Sequence, residues 1–227
     1  MKTIRISKFI LLICMVCLFF SPVWSQEKQE DKINAATQVL QDFGKMKESI
    51  PEELLKVTQG IIIVPKLINA GFVVAGKRGK GVAMVKLEDG TWSNPVFVTI
   101  TGGSVGLQAG VQSVDLVLIF KNRSTLEKIG NGSFTLGGDI SATAGPVGRN
   151  STASTDYKME AEVYSYSRSK GLFAGISLSG SAIDIDEKAN ESFYGNEEDA
   201  KALFANSNEN NSASVTAMKS ELKSLYQ

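Results

Sequence analysis

The chain has 227 residues, with 24 Lys+Arg balanced by 24 Asp+Glu, 43% hydrophobic residues, two cysteines and no histidine. The missing histidine removes the commonest general base and the commonest metal ligand together. The balanced charge lacks the basic stripe of a nucleic-acid binder, so no nucleic-acid partner is expected.

The first residues carry Lys2, Arg5 and Lys8, then an apolar run from Phe9 to Phe20, then Val23-Trp24-Ser25. That order is the pattern of a secretory signal peptide, with cleavage expected before Gln26. The run is short of the ~20 residues of a comfortable membrane span, and a retained anchor is the alternative reading. Both cysteines, Cys14 and Cys17, fall inside this segment, and Ile13 and Val16 before them are not the small residues of a lipoprotein signal. The chain from Gln26 onward therefore has neither disulfide nor thiol chemistry. It keeps 21 basic against 24 acidic residues, a net charge of −3. A secreted or periplasmic protein, with peripheral membrane association, is the expectation. No D-x-[DN]-x-[DN]-G calcium loop occurs, so no metal and no cofactor are expected.

The remainder divides into one domain over 26–205 and a polar linker with a C-terminal amphipathic helix over 206–227. From Gln26 to about Lys56, Ile33, Ala36, Val39, Leu40, Phe43, Met46 and Ile50 recur at helical spacing. From Gly60 the period changes to short β-branched runs: GIIIVP, GFVVAG and KGVAMVKL. Gly76-Lys77-Arg78-Gly79 reads as a hairpin tip and Glu88-Asp89-Gly90 as a second turn. PVFVTI, the glycine-rich TGGSVGLQAGVQS and VDLVLIF follow. Ser124-Thr125-Leu126-Glu127 has the capping-box pattern and starts a short helix that Gly130 stops.

YKMEAEVYS, residues 157–165, alternates as a half-buried antiparallel strand, with Tyr157, Met159, Ala161 and Val163 on one face. GLFAGISLSGSAIDI is a further strand or strand pair. EEDAKALFA and VTAMKSELKSLY are helical, and the last helix and its linker are expected to be mobile. The sum is an α+β fold: a curved, largely antiparallel sheet system, sandwich or barrel-like, with flanking N- and C-terminal helices.

Gly102-Gly103-Ser104-Val105-Gly106 satisfies G-x-S-x-G, the nucleophile elbow of serine hydrolases. The elbow needs a strand-turn-helix and a histidine base. Here the surrounding residues alternate with period two, and the chain has no histidine. No catalytic residue is assigned and no enzymatic activity is expected. Gly102, Ser104, Gly106, Gln108 and Gly110 instead form the small-residue face of a strand, open to a ligand or to close packing.

The segments IPEELLKVTQGIIIVPKLINAGFVVAGKRGKGV, DGTWSNPVFV, GGSVGLQAGVQSVDLVLIF, GDISATAGPVGR and YSYSRSKGLFAGISLSGSAIDIDEKANESFYG resemble, in order and spacing, the SYLF domain family. That family is also known as an actin-binding module in fungal endocytic proteins. The resemblance spans about residues 30–195. It implies phospholipid binding, often of phosphoinositides, attachment to membrane surfaces and no catalysis. Short secreted bacterial proteins are among its forms, and this chain resembles them. Eukaryotic members are held to bind lipid largely through basic and apolar residues at the domain's start. Here residues 26–60 hold five lysines against seven acids. Actin binding does not suit an exported chain and is not carried over.

Three basic clusters in the matched region are candidates for a lipid headgroup: Lys77-Arg78-x-Lys80, Arg149, and Arg168-Ser-Lys170. Arginine's fork suits phosphate. Trp92, Tyr164, Tyr166 and Phe173 are read as packing aromatics. The expected partner is phospholipid or a membrane surface. A structural or protein-interaction module of the envelope, binding another protein or a second copy of itself, is the alternative.

Overall fold

The computed structural model describes residues 21–46, 50–132, 134–145, 161–174, 176–195, 199–207 and 210–225, with side chains described at all of these except 21–25, 72–75, 104–109 and 131. Helix α1 (Ser21–Lys45) leads to a short α2 (Glu52–Lys56). Two very long strands follow, β1 (Gly60–Val85) and β2 (Val96–Phe120), antiparallel partners along almost their whole length. After β2 come α3 (Arg123–Glu127), a 3-10 turn (Lys128–Asn131), β3 (Phe134–Leu136) and β4 (Ala142–Ala144). Then follow β5 (Val163–Ser169), β6 (Leu172–Phe173), β7 (Ser181–Ile185), α4 (Glu187–Tyr194), α5 (Ala200–Ala205) and α6 (Ala213–Leu225).

The three runs from Gly60 to Val85 are one strand. Pro65 does not end it: a bulge between Val64 and Leu67 absorbs the missing N–H, with Lys66 at φ 53°. The expected hairpin tip at Gly76–Gly79 is likewise a correction, because these residues pair with Gly103 to Ile100 in mid-strand. Glycines read as turn markers here serve curvature instead. The turn at Glu88-Asp89-Gly90 is present, with Gly90 at φ 81° and Asp89 Oδ1 accepting from the Thr91 N–H at 2.9 Å.

The β1–β2 ribbon bends in its middle, where the register slips between Gly71/Gly110 and Val73/Gly106. One limb of β2 (98–102) pairs with β7, and the other (115–120) pairs with β5. The sheet order is β3-β7-β2-β5-β4, with β1 joined to β2 and β6 to β5. The bend brings β1 back upon itself. A Cβ at Gly81 would lie 2.1 Å from the Ile63 carbonyl oxygen, and one at Gly79 2.5 Å from a Val64 methyl. The Lys86 N–H donates to the Gln59 carbonyl at 2.8 Å across the same closure. The outcome is an α+β fold with a nearly closed, mostly antiparallel, barrel-like sheet.

Both faces of the ribbon are buried. Ile61, Ile63, Val82, Met84, Phe97, Val117 and Ile119 face α1, α4 and α6. Ile62, Val64, Ala83, Val98, Leu116 and Leu118 turn the other way, toward Leu126 of α3 and Leu203 and Phe204 of α5. Period-two alternation explains the split, and double burial explains why the segments read as continuous apolar runs.

Other expectations resolve locally. The helix near residue 124 is capped by the Asn122 side chain, which accepts from the Ser124 N–H, and the 3-10 turn carries it past Gly130 to Gly132. Strand β5 is buried on both faces, through Val163 on one side and Tyr164 and Tyr166 on the other, so it is not half-exposed. Residues 157–160 lie outside the described residues. The C-terminal helix, expected to be mobile, buries Val215, Met218 and Leu222 in the α1 core. The packing role of Trp92, Tyr164 and Tyr166 holds, and Phe173 meets Phe43 and Tyr166 edge-on at 5.9 and 6.3 Å.

Gly81→Ala should destabilise the protein by about 2 kcal/mol or more, since backbone opposes the new methyl group. Gly76→Ala, with nothing within 4 Å of the added carbon, should change it by less than about 0.5 kcal/mol. Denaturant unfolding of the two variants makes the comparison.

Candidate functional site

The strand alternation separates the first basic cluster. Lys77 is directly opposite Gly102, which is directly opposite Ser181. Directly opposed residues share a face, here the inner one. Lys77 is 5% exposed, and its ammonium donates to the Ser177 carbonyl oxygen. Burial pulls its pKa below the ordinary lysine value. Gly102 lets β2 approach β7 here, since a Cβ would fall 2.6 Å from the Ser181 hydroxyl. Arg78 and Lys80 point outward and are exposed. Lys80 pairs with Asp186 at 2.6 Å, next to the half-buried Lys32, whose ammonium lies 5.6 Å from the Phe97 ring centroid. Arg78 forms no ion pair among the described residues.

The Arg168 guanidinium sits at a junction of four elements. It reaches Asp42 of α1 at 2.5 Å and Asp115 of β2 at 2.9 Å, and lies 5.7 Å from the centroid of the Phe43 ring. The second Asp115 oxygen accepts from the Lys66 N–H at 3.0 Å, which ties down the bulge of β1. Burial by itself would raise the Asp42 pKa. Hydrogen bonds from Gln38 and Arg168, with the charges of Arg168 and Lys45, outweigh it and hold the carboxyl below the usual range. Two residues on, Lys170 is exposed at φ 50°, followed by Gly171 at φ 79°. Positive φ at both central residues is the type I′ hairpin geometry.

The sequence candidates thus do not form one site. Arg78 and Lys80 lie on the limb beside β7, while Arg168 and Lys170 lie beside the other limb. Arg149 lies outside the described residues. Of the glycine-faced strand, Gly102 packs on β7, and Ser104, Gly106 and Gly110 pair with Ala75, Val73 and Gly71 around the bend. Gln108 falls inside the register slip. Ser104 therefore stands within an uninterrupted strand and not on a turn into a helix. Sequence reasoning missed Asp42 and Asp115. A lone carboxylate inside VDLVLIF was the available signal, since a charge in a buried strand needs a partner.

Fold and site together define a domain built on one bent β-ribbon, with Arg168 tied into ion pairs, Lys77 buried on a backbone carbonyl, and Arg78 and Lys170 exposed. The chain belongs to the Ysc84/SYLF family: the model described as "Ysc84: Las17-binding protein actin regulator" matches residues 101–225. It is 36% identical over 194 residues to "LAS seventeen-binding protein 3" of Saccharomyces cerevisiae, covering 82% of this chain and 42% of that protein. It is 34% identical over 181 residues to "SH3 domain-containing YSC84-like protein 1" of Bos taurus, covering 77% of this chain and 52% of that one. The chain therefore spans about half the length, or less, of these curated relatives. Their names describe binding and domain content, and none names a reaction.

Arg168→Ala should lower stability by about 2 kcal/mol at neutral pH, through lost charged hydrogen bonds. A carboxyl with a depressed folded-state pKa contributes stability above its ordinary value near ~4, lost as pH falls through the lowered value. The gap between the parent protein and the variant should therefore narrow in acid, as read by urea unfolding across pH.

Proposed function

We propose that this chain is a non-enzymatic binding module that acts at a phospholipid membrane surface of the cell envelope, after export and removal of residues 1–25. The observation that carries this reading is the exposure of Arg78 and Lys170, without ion pairs among the described residues, on a domain of the Ysc84/SYLF family. Cations already outside internal pairs can meet phosphates without a competing carboxylate, each adding about 1 kcal/mol near an anionic membrane. Arg168 is engaged internally, so it supports the fold and does not carry this contact. The Arg149 region stays a candidate on the family resemblance.

A second reading is a protein-interaction module of the envelope. The relatives' names favour it, since one is a LAS seventeen-binding protein. The N-terminal run from Phe9 to Phe20 belongs to the export part of the proposal. Among the described residues no helix is long and apolar enough to cross a membrane.

Flotation with anionic and with neutral vesicles tests the first reading. The chain beginning at Gln26 keeps every described core residue, the earliest being Gln29. It should float with anionic vesicles at low salt and be released as salt rises. Absence from both vesicle types would sink the membrane reading, and a stable protein complex without lipid would favour the second. A fluorophosphonate probe should leave Ser104 unlabelled, and labelling abolished by Ser104→Ala would overturn the non-enzymatic reading.

A further inference from the structure

Among the described residues four large hydrophobic side chains are prominently exposed: Val57 at 43%, Ile68 at 49%, Leu172 at 74% and Val111 at 79%. Single exposed apolar residues are ordinary on any surface, but gathered ones mark contact surfaces. Three of these four lie at the bend end of the ribbon, two of them on one face and Leu172 on the other. Ile68 is opposite Ser113 and Ala70 opposite Val111, so Ile68 and Val111 stand on one face of β1–β2. By period two this is also the face of Asp115, Val117 and Ile119, which the Leu40–Phe43 end of α1 covers. The sheet face thus runs on past the Arg168 junction and emerges apolar. Leu172 lies at the same end but on the opposite face: Arg168 and Phe173 share the Asp115 face, whereas Leu172 pairs with the next residue, Ser169, whose hydroxyl donates to the Ser113 carbonyl at 3.2 Å.

Charge says what kind of surface this end meets. Lys66 sits in the bulge two residues before Ile68, and Lys170 occupies the hairpin turn two residues before Leu172. Both are exposed, and neither forms an ion pair among the described residues. The nearby carboxylates, Asp115 and Asp42, are both bound to Arg168. Apolar tips on a bend and a turn, two of them beside an unengaged lysine, suit a fluid anionic interface that closes around each tip. A folded protein partner would need a separate pocket for each.

We propose that this end of the molecule is its membrane-contacting edge: Ile68, Val111 and Leu172 enter the headgroup boundary of an anionic bilayer, and Lys66 and Lys170 meet lipid phosphates. The inference rests on the membrane-surface reading above and names the residues that execute it.

Tryptophan reporters in the chain beginning at Gln26 test it, with vesicles of phosphatidylglycerol and phosphatidylcholine carrying brominated acyl chains. Val111→Trp should show blue-shifted, quenched emission on binding, and Val57→Trp, at the far end of the ribbon, should not. The native Trp92 contributes equally to both. Ile68→Ser, Val111→Ser and Leu172→Ser combined should weaken vesicle binding about tenfold or more without shifting the unfolding midpoint. Lys66→Gln with Lys170→Gln should weaken it about tenfold and flatten its salt dependence. If the parent chain binds vesicles but the reporter at 111 stays unquenched, or the triple variant binds normally, the edge is overturned while the membrane reading stands. If the parent chain binds no vesicle, the membrane reading itself falls. If it instead forms a dimer that the triple variant abolishes, the edge is a self-association face and the proposal is overturned.

Discussion

The close approach of β1 to itself is the constraint on which the rest of the fold depends. Where Gly81 passes the Ile63 carbonyl there is no room for a side-chain carbon. Glycine at that crossing lets a 26-residue strand return on its own first limb. With the ribbon folded, β2 offers one limb to β7 and the other to β5, and the short strands have edges to pair with. The two limbs also present two apolar faces, one for α1, α4 and α6 and the other for α3 and α5. Without the crossing, each limb would be an isolated two-stranded ribbon of marginal stability.

Arg168 holds the second limb in place. Its guanidinium joins α1 to β2 from its place on β5, and through Asp115 it reaches the bulge that lets β1 pass Pro65. Three charged groups taken partly out of water are tolerable because the two carboxylates share one planar fork. The same junction marks a boundary in the sheet. On one side the ribbon face is packed against Phe43, and on the other it emerges with Ile68 and Val111 exposed. The nearly closed body with this bent, partly apolar edge is the form on which the proposed membrane contact rests. No group of His, Cys, Asp and Glu arranged to hold a metal occurs among the described residues.

Much of the fold was legible in the chain. The helical stripe from Ile33 to Phe43, the Asp-Gly turn, the strand character of 60–120 and the terminal helices all follow from local periodicity and turn chemistry. The errors cluster at Pro65 and at Gly71, Gly76, Gly79 and Gly81. As isolated signals these residues punctuate strands, and in context they bend one. The final helix was misjudged for a related reason, since a polar linker says nothing about where Val215, Met218 and Leu222 find their partners.

The sequence by itself determined the chemistry available. It excluded histidine-based catalysis, set the α+β class, and carried the ordered motifs of the Ysc84/SYLF family. Only the tertiary structure decided which charges are free. Lys77 and Arg78 are neighbours in the chain, yet one is buried against the Ser177 carbonyl and the other faces outward. Arg168 and Lys170 are two residues apart, yet one is bound by two carboxylates and the other is exposed on a turn. A strand's alternation is visible locally, but which face becomes the interior depends on the distant segments that the bent ribbon brings against it.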